Sequence, residues 1–94
     1  MSLPVVPLDT STAEVGGQQV QIRSLSRDEV TRLAALDGDP GAAEVFMISC
    51  GTGESEADAA EWRKGVSAKT AGLLLRAIRD LSGLSPVRTD QGKA

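Results

Sequence analysis

The side chains able to do chemistry are few. Cys50 is the single cysteine, and the chain has no histidine. A catalytic triad, a histidine-led metal site and a histidine general base are therefore all excluded. Cys50 falls in an apolar helical stretch with no basic residue beside it in sequence. That is the setting of a packed, unreactive thiol rather than of a nucleophile. Glu54, Glu56, Asp58 and Glu61 form an acidic cluster. They lack the alternating loop spacing and turn glycine of a calcium loop, and read as the solvated start of a helix. Gly51-Thr52-Gly53 is no phosphate loop, because no Lys-Ser/Thr pair follows it. The chain is thus read as a binding protein and not an enzyme, with no cofactor and no metal.

Binding is the chemistry that remains. Trp62 and Phe46 are the only aromatic residues, and tryptophan is the residue type most enriched where proteins grip one another. Seven Arg and three Lys are scattered among 13 carboxylates, for a net charge of -3. Nucleic-acid binding needs clustered cations facing phosphates, so no nucleic-acid partner is expected. A lone cysteine suits a reducing, intracellular compartment. Met1 to Thr10 lacks the basic and apolar stretches of a signal peptide. No run approaches the roughly 18 apolar residues of a membrane span, so no membrane partner is expected.

The elements that must position these residues follow from local signals. The 94 residues suit one domain. Residues 1–12, with Pro4 and Pro7, read as a flexible arm, either a docking strand or a frayed end. Gly16-Gly17 is a two-residue turn tolerant of positive φ, so a β-hairpin is expected. It pairs Val15 with Gln18 and Ala13 with Val20, with Ala13, Val15, Val20 and Ile22 on one face. Ser26 followed by Glu29 is a capping box, with Leu25 and Val30 placed as its hydrophobic staple. That predicts a first helix from Arg27 to about Leu36, burying Val30, Leu33 and Ala34. Asp39-Pro40 opens a second helix, which spans about Pro40 to Cys50 and stops at Gly51. Ala42, Ala43, Phe46 and Cys50 share one stripe of it. Val45, Met47 and Ile48 lie off that stripe, so the helix is apolar nearly all round and has surface to spare for a partner. A third, acidic-first helix runs from Glu54 to Lys64 with a thin alanine face and Trp62. Ser67 caps the fourth, from Ala68 to Ser82, which carries Ala71, Leu74, Leu75, Ile78 and Leu81 on one face and Leu73 among charges on the other. Gly83 suits the C′ position, with Leu84 closing the end. The expected fold is mainly α, an N-terminal β-hairpin packed on a compact bundle of about four short helices over residues 13–84. Residues 85–94 read as a disordered C-terminal tail. Val45, Met47, Ile48, Trp62 and Leu73 are the candidate partner-binding residues.

The order of elements resembles a known family. A hairpin leads into Arg23-Ser24-Leu25-Ser26-Arg27-Asp28-Glu29, and the last helix ends in Ile78-Arg79-Asp80-Leu81-Ser82-Gly83-Leu84. The pattern is similar to that of the tail assembly chaperones of long-tailed bacteriophages, over about Ala13 to Leu84. The resemblance implies a protein of the host cytoplasm that binds and solubilises the tape-measure protein during tail morphogenesis. Tail-tube protein and a second copy of the chain are further partners it implies. It also implies a longer, frameshifted product, for which Gly92-Lys93 is a candidate slippage dipeptide. The family has no catalytic residues to carry over. A small structural adaptor or connector subunit of a phage particle, or a cellular protein-interaction domain, is the alternative that the same composition admits.

Overall fold

Two glycines start the fold. Gly16 and Gly17 have φ of 60° and 83°, the paired positive values of a type I′ turn, whose twist matches that of the strands it joins. Strands β1 (Thr10–Val15) and β2 (Gln18–Arg23) pair antiparallel in the expected register, with Val15 opposite Gln18 and Ala13 opposite Val20. β1 takes in Thr10 to Thr12, which the sequence assigned to the arm. The computed structural model describes residues 2–84; the expected tail and Gly92-Lys93 lie outside the described residues.

Four helices follow: α1 (Arg27–Ala34), α2 (Pro40–Thr52), α3 (Glu56–Gly65) and α4 (Ala68–Leu81). Each opens on a side-chain cap. Ser26, Asp39, Ser55 and Ser67 accept from the backbone N–H of Glu29, Ala42, Asp58 and Thr70, satisfying donors that the first turn leaves free. At Ser26 the box is complete, since the Glu29 carboxylate accepts from the Ser26 N–H at 2.9 Å. α4 ends in a Schellman motif: Leu84 N donates to Arg79 O at 2.8 Å and Gly83 N to Asp80 O at 3.1 Å. Leu84 folds back onto the core.

The hairpin alone would be marginal in water, so its apolar face needs a cover. That cover is α2 and α4: β1 lies chiefly on α4 and β2 on α2. Val15 and Ile22 from the hairpin, Leu25, Met47 and Ile48 from α2, Ala59 from α3, and Leu74, Leu75 and Ile78 from α4 form one core. Ile78 is wholly buried. α1 sits at the periphery and packs on α2. Val30 and Leu33 are half-buried, whereas Ala34, expected inside, is exposed.

Helix α2 departs most from expectation. It buries Met47, Ile48 and Gly51, not the stripe of Ala42, Ala43, Phe46 and Cys50, which are half-buried. Gly51 is not a stop. The helix continues to Thr52 and is capped at Gly53, while Gly51 lies buried against Ile78. A helix apolar on every side has no phase that its own sequence can fix, so the neighbours choose the buried face.

Removing the Ser26 hydroxyl tests the first helix cap. Ser26→Ala should lower stability by about 1 kcal/mol, read as a lower urea midpoint at unchanged slope. An unchanged midpoint would mean that the capping box contributes nothing to the fold.

Candidate functional site

The titratable cluster of greatest interest joins three elements. Arg23, at the end of β2, grips the Glu29 carboxylate of α1 with both guanidinium nitrogens, each at 2.8 Å. The pair is bidentate, the strong form of an ion pair. Cys50 of α2 lies close enough to the same carboxylate to feel its charge. The Arg23 hydrogen bonds are the largest influence holding Glu29 down to about 2, followed by burial, which opposes them, and then the Ser26 N–H. Burial and the adjoining carboxylate push the Cys50 thiol up to about 11. A thiol so protonated at neutral pH is a poor nucleophile. The Arg23–Glu29 fork therefore fastens the hairpin to α1, with Cys50 of α2 beside it.

A second joint lies beside it. The Leu25 N–H donates to Ser82 Oγ at 2.8 Å, and Ser82 Oγ donates onward to Ile78 O at 2.7 Å. Ser24, buried, exchanges two bonds with Asp9: Ser24 N to Asp9 O at 2.8 Å and Asp9 N to Ser24 Oγ at 3.1 Å. The start of the hairpin, the entry to α1 and the end of α4 thus meet within a few residues. The segment before Asp9 has no such fastening on its apolar side chains. Val5 is 99% exposed, and Leu3 and Val6 are also exposed.

The concave features are grooves. One, of about 410 Å³, runs between the hairpin, α2, α3 and α4. Ile48, Ala59 and Leu74 form its floor, Val15, Val20 and Trp62 its walls, and Gln18, Gln21, Thr52, Glu54 and Asp58 its polar margin. Another, of about 460 Å³, lies between α1, α2 and α4 over Val30, Leu33, Met47 and Leu75, with Asp37, Glu44 and Arg79 among its lining. A third, of about 340 Å³, is crossed by the Arg63–Glu44 ion pair, Nε to Oε1 at 2.7 Å, which ties α3 to α2.

The candidate binding residues do not form one patch. Trp62 and Ile48 share the first groove. Met47 lines the second. Met47 and Ile48 are both buried, which corrects the reading of them as surplus surface: they belong to the chain's own core. Val45 is half-buried against that core. Leu73 is 52% exposed on the outer side of α4, as its charged neighbours implied. The groove as a unit is not legible in the sequence, because its lining comes from four elements; Trp62, the one large residue on an otherwise alanine face, is the one usable signal. Among the described residues no group of His, Cys, Asp and Glu could hold a metal, and no helix is long and apolar enough to cross a membrane. Comparison with protein-family models, curated proteins and solved structures finds no match.

The Glu29 cluster makes a pH prediction. A carboxyl lowered in the folded state stabilises fully above its ordinary value of 4.5, and that contribution is lost as pH falls toward about 2. The gap in urea midpoint between the wild type and Glu29→Gln should be widest above pH 4.5 and should close through that window. Parallel curves down to pH 2 would show that the Arg23–Glu29 pair does not contribute to stability.

Proposed function

We propose that this chain is a phage tail assembly chaperone, which binds the tape-measure protein in the host cytoplasm and keeps it soluble until the tail tube forms. The observation that carries this reading is the joint between Leu25 and Ser82. The two short motifs behind the family resemblance, one around Arg23 to Glu29 and one around Ile78 to Leu84, are far apart in sequence. They are hydrogen-bonded to each other at 2.8 Å. The two segments behind the resemblance thus form one joint of the fold, which is what supports reading them together.

The surface suits the role. A chaperone of a long helical client needs apolar area left uncovered on a domain that stays folded by itself. Here the core is filled by the chain's own residues, while Leu73, the apolar arm around Val5 and the groove beside Trp62 remain open. Many copies along one client would add weak contacts into a lasting coat through multivalency. Tail-tube subunits are the second partner in this reading.

Co-expression with the tape-measure protein of the same genome is the test. The tape-measure protein should shift from the insoluble to the soluble fraction and co-purify with this chain. Leu73→Lys, on an exposed position, should weaken the co-purification while circular dichroism stays native. A tape-measure protein that stays insoluble, with this chain purifying unaccompanied, would contradict the reading.

A further inference from the structure

The three grooves differ in charge. In the groove over Met47, Arg79 stands among the acidic groups, and in the third, Arg63 neutralises Glu44 directly. The groove beside Trp62 has Glu54 and Asp58 on its margin and no Lys or Arg in its lining. Neither carboxylate is in an ion pair among the described residues, whereas Asp28, Glu29, Glu44 and Glu61 each have one. The dipole of α3 explains why acidic residues stand near its first turn. It does not explain an apolar channel whose margin carries only negative charge.

We propose that this groove is the docking site for a cationic amphipathic helix of another protein. Val20 and Trp62, both half-buried, wall a channel closed below by Ile48, Ala59 and Leu74 and take a row of aliphatic side chains, and Glu54 and Asp58 pair with Lys or Arg flanking that row. A helix is the fitting form because it satisfies its own backbone and presents side chains at i, i+3, i+4 and i+7 along one line. The chain's own arm is a poor occupant. Residues 2–9 are apolar but carry no cation, and their one charge, Asp9, has the same sign as the groove margin. Complementary charge selects among partners and speeds encounter, while the apolar row and the Trp62 ring supply contact area. The inference deepens the chaperone reading by specifying the client segment, and it rests on that reading only for which protein supplies the helix.

Trp62 is the only tryptophan, so its emission reports on this groove. The probe is a synthetic amphipathic peptide of leucine and lysine a few helical turns long, titrated into the full chain. The matched control is the same peptide with glutamate replacing lysine. The lysine peptide should change Trp62 emission saturably, and the glutamate peptide should bind roughly tenfold more weakly or worse. Glu54→Lys with Asp58→Lys should reverse that preference. Asp28→Lys with Asp37→Lys, which makes the same change in net charge on α1 and the turn after it, with neither residue in the lining, should leave it intact. Equal binding of the two peptides, or equal effects of the two double variants, would overturn the proposal. So would emission that changes with protein concentration alone, which would mark a second copy as the occupant. None of these readouts involves the tape-measure protein. Failure here leaves the co-expression result standing, and failure of co-expression leaves the groove's charge preference standing.

Discussion

No side chain can stand between α2 and α4 where Gly51 meets Ile78. A β-carbon at Gly51 would lie 2.5 Å from Ile78 Cδ1, 2.8 Å from Cγ1 and 3.0 Å from Cγ2, all inside the distance at which carbon atoms repel. The two helices therefore approach as closely as they do because residue 51 is glycine. The consequences reach the surface. One turn back along α2 from Gly51 is Ile48, and one turn back along α4 from Ile78 is Leu74. These two side chains form the floor of the groove beside Trp62. The core contact that fixes the helix pair is also what places an apolar floor under an open channel.

The polar joints hold the remaining elements to that pair. A two-stranded hairpin has too few contacts to persist alone. Here the Arg23–Glu29 fork anchors its end to α1, and the Leu25–Ser82 bond anchors the chain two residues further on to the end of α4. Glu29 does two jobs in this arrangement: one carboxylate completes a helix cap and accepts two guanidinium bonds. α1, which has no fully buried residue, keeps its place through this cluster as much as through packing on α2.

What the sequence revealed divides along a physical line. The Gly16-Gly17 turn, the register of the hairpin, the capping box at Ser26 and the glycine end of α4 are governed by residues within a few positions of one another, and all are legible. The buried face of α4 was legible too, since one apolar side and one charged side give the helix a definite phase, and Leu73 fell on the exposed side as read. α2 offered no such phase. Its stripe was placed on Ala42, Ala43, Phe46 and Cys50 because their spacing is regular, but the neighbours selected Met47, Ile48 and Gly51. Gly51 was read as a helix stop because a glycine's local effect is visible in sequence and its role at a close crossing is not. The groove stayed hidden for the same reason, since Val15, Ile48, Trp62 and Leu74 converge only once the helices have packed.

The account makes the fold and the candidate site depend on one contact, so the direct measurement is a double-mutant cycle across it. Gly51→Ala, Ile78→Val and the double variant are melted in urea beside the wild type. Alanine gains about 1 kcal/mol in helix propensity over glycine, so a loss of stability on Gly51→Ala must come from overpacking. The account predicts a clear loss in the wild-type background. It predicts a smaller loss once Ile78→Val has removed Cδ1, the nearest of the three atoms in the way, a non-additivity expected of residues in contact. Equal effects of Gly51→Ala in both backgrounds would contradict it, and with it the claim that this crossing sets the groove floor.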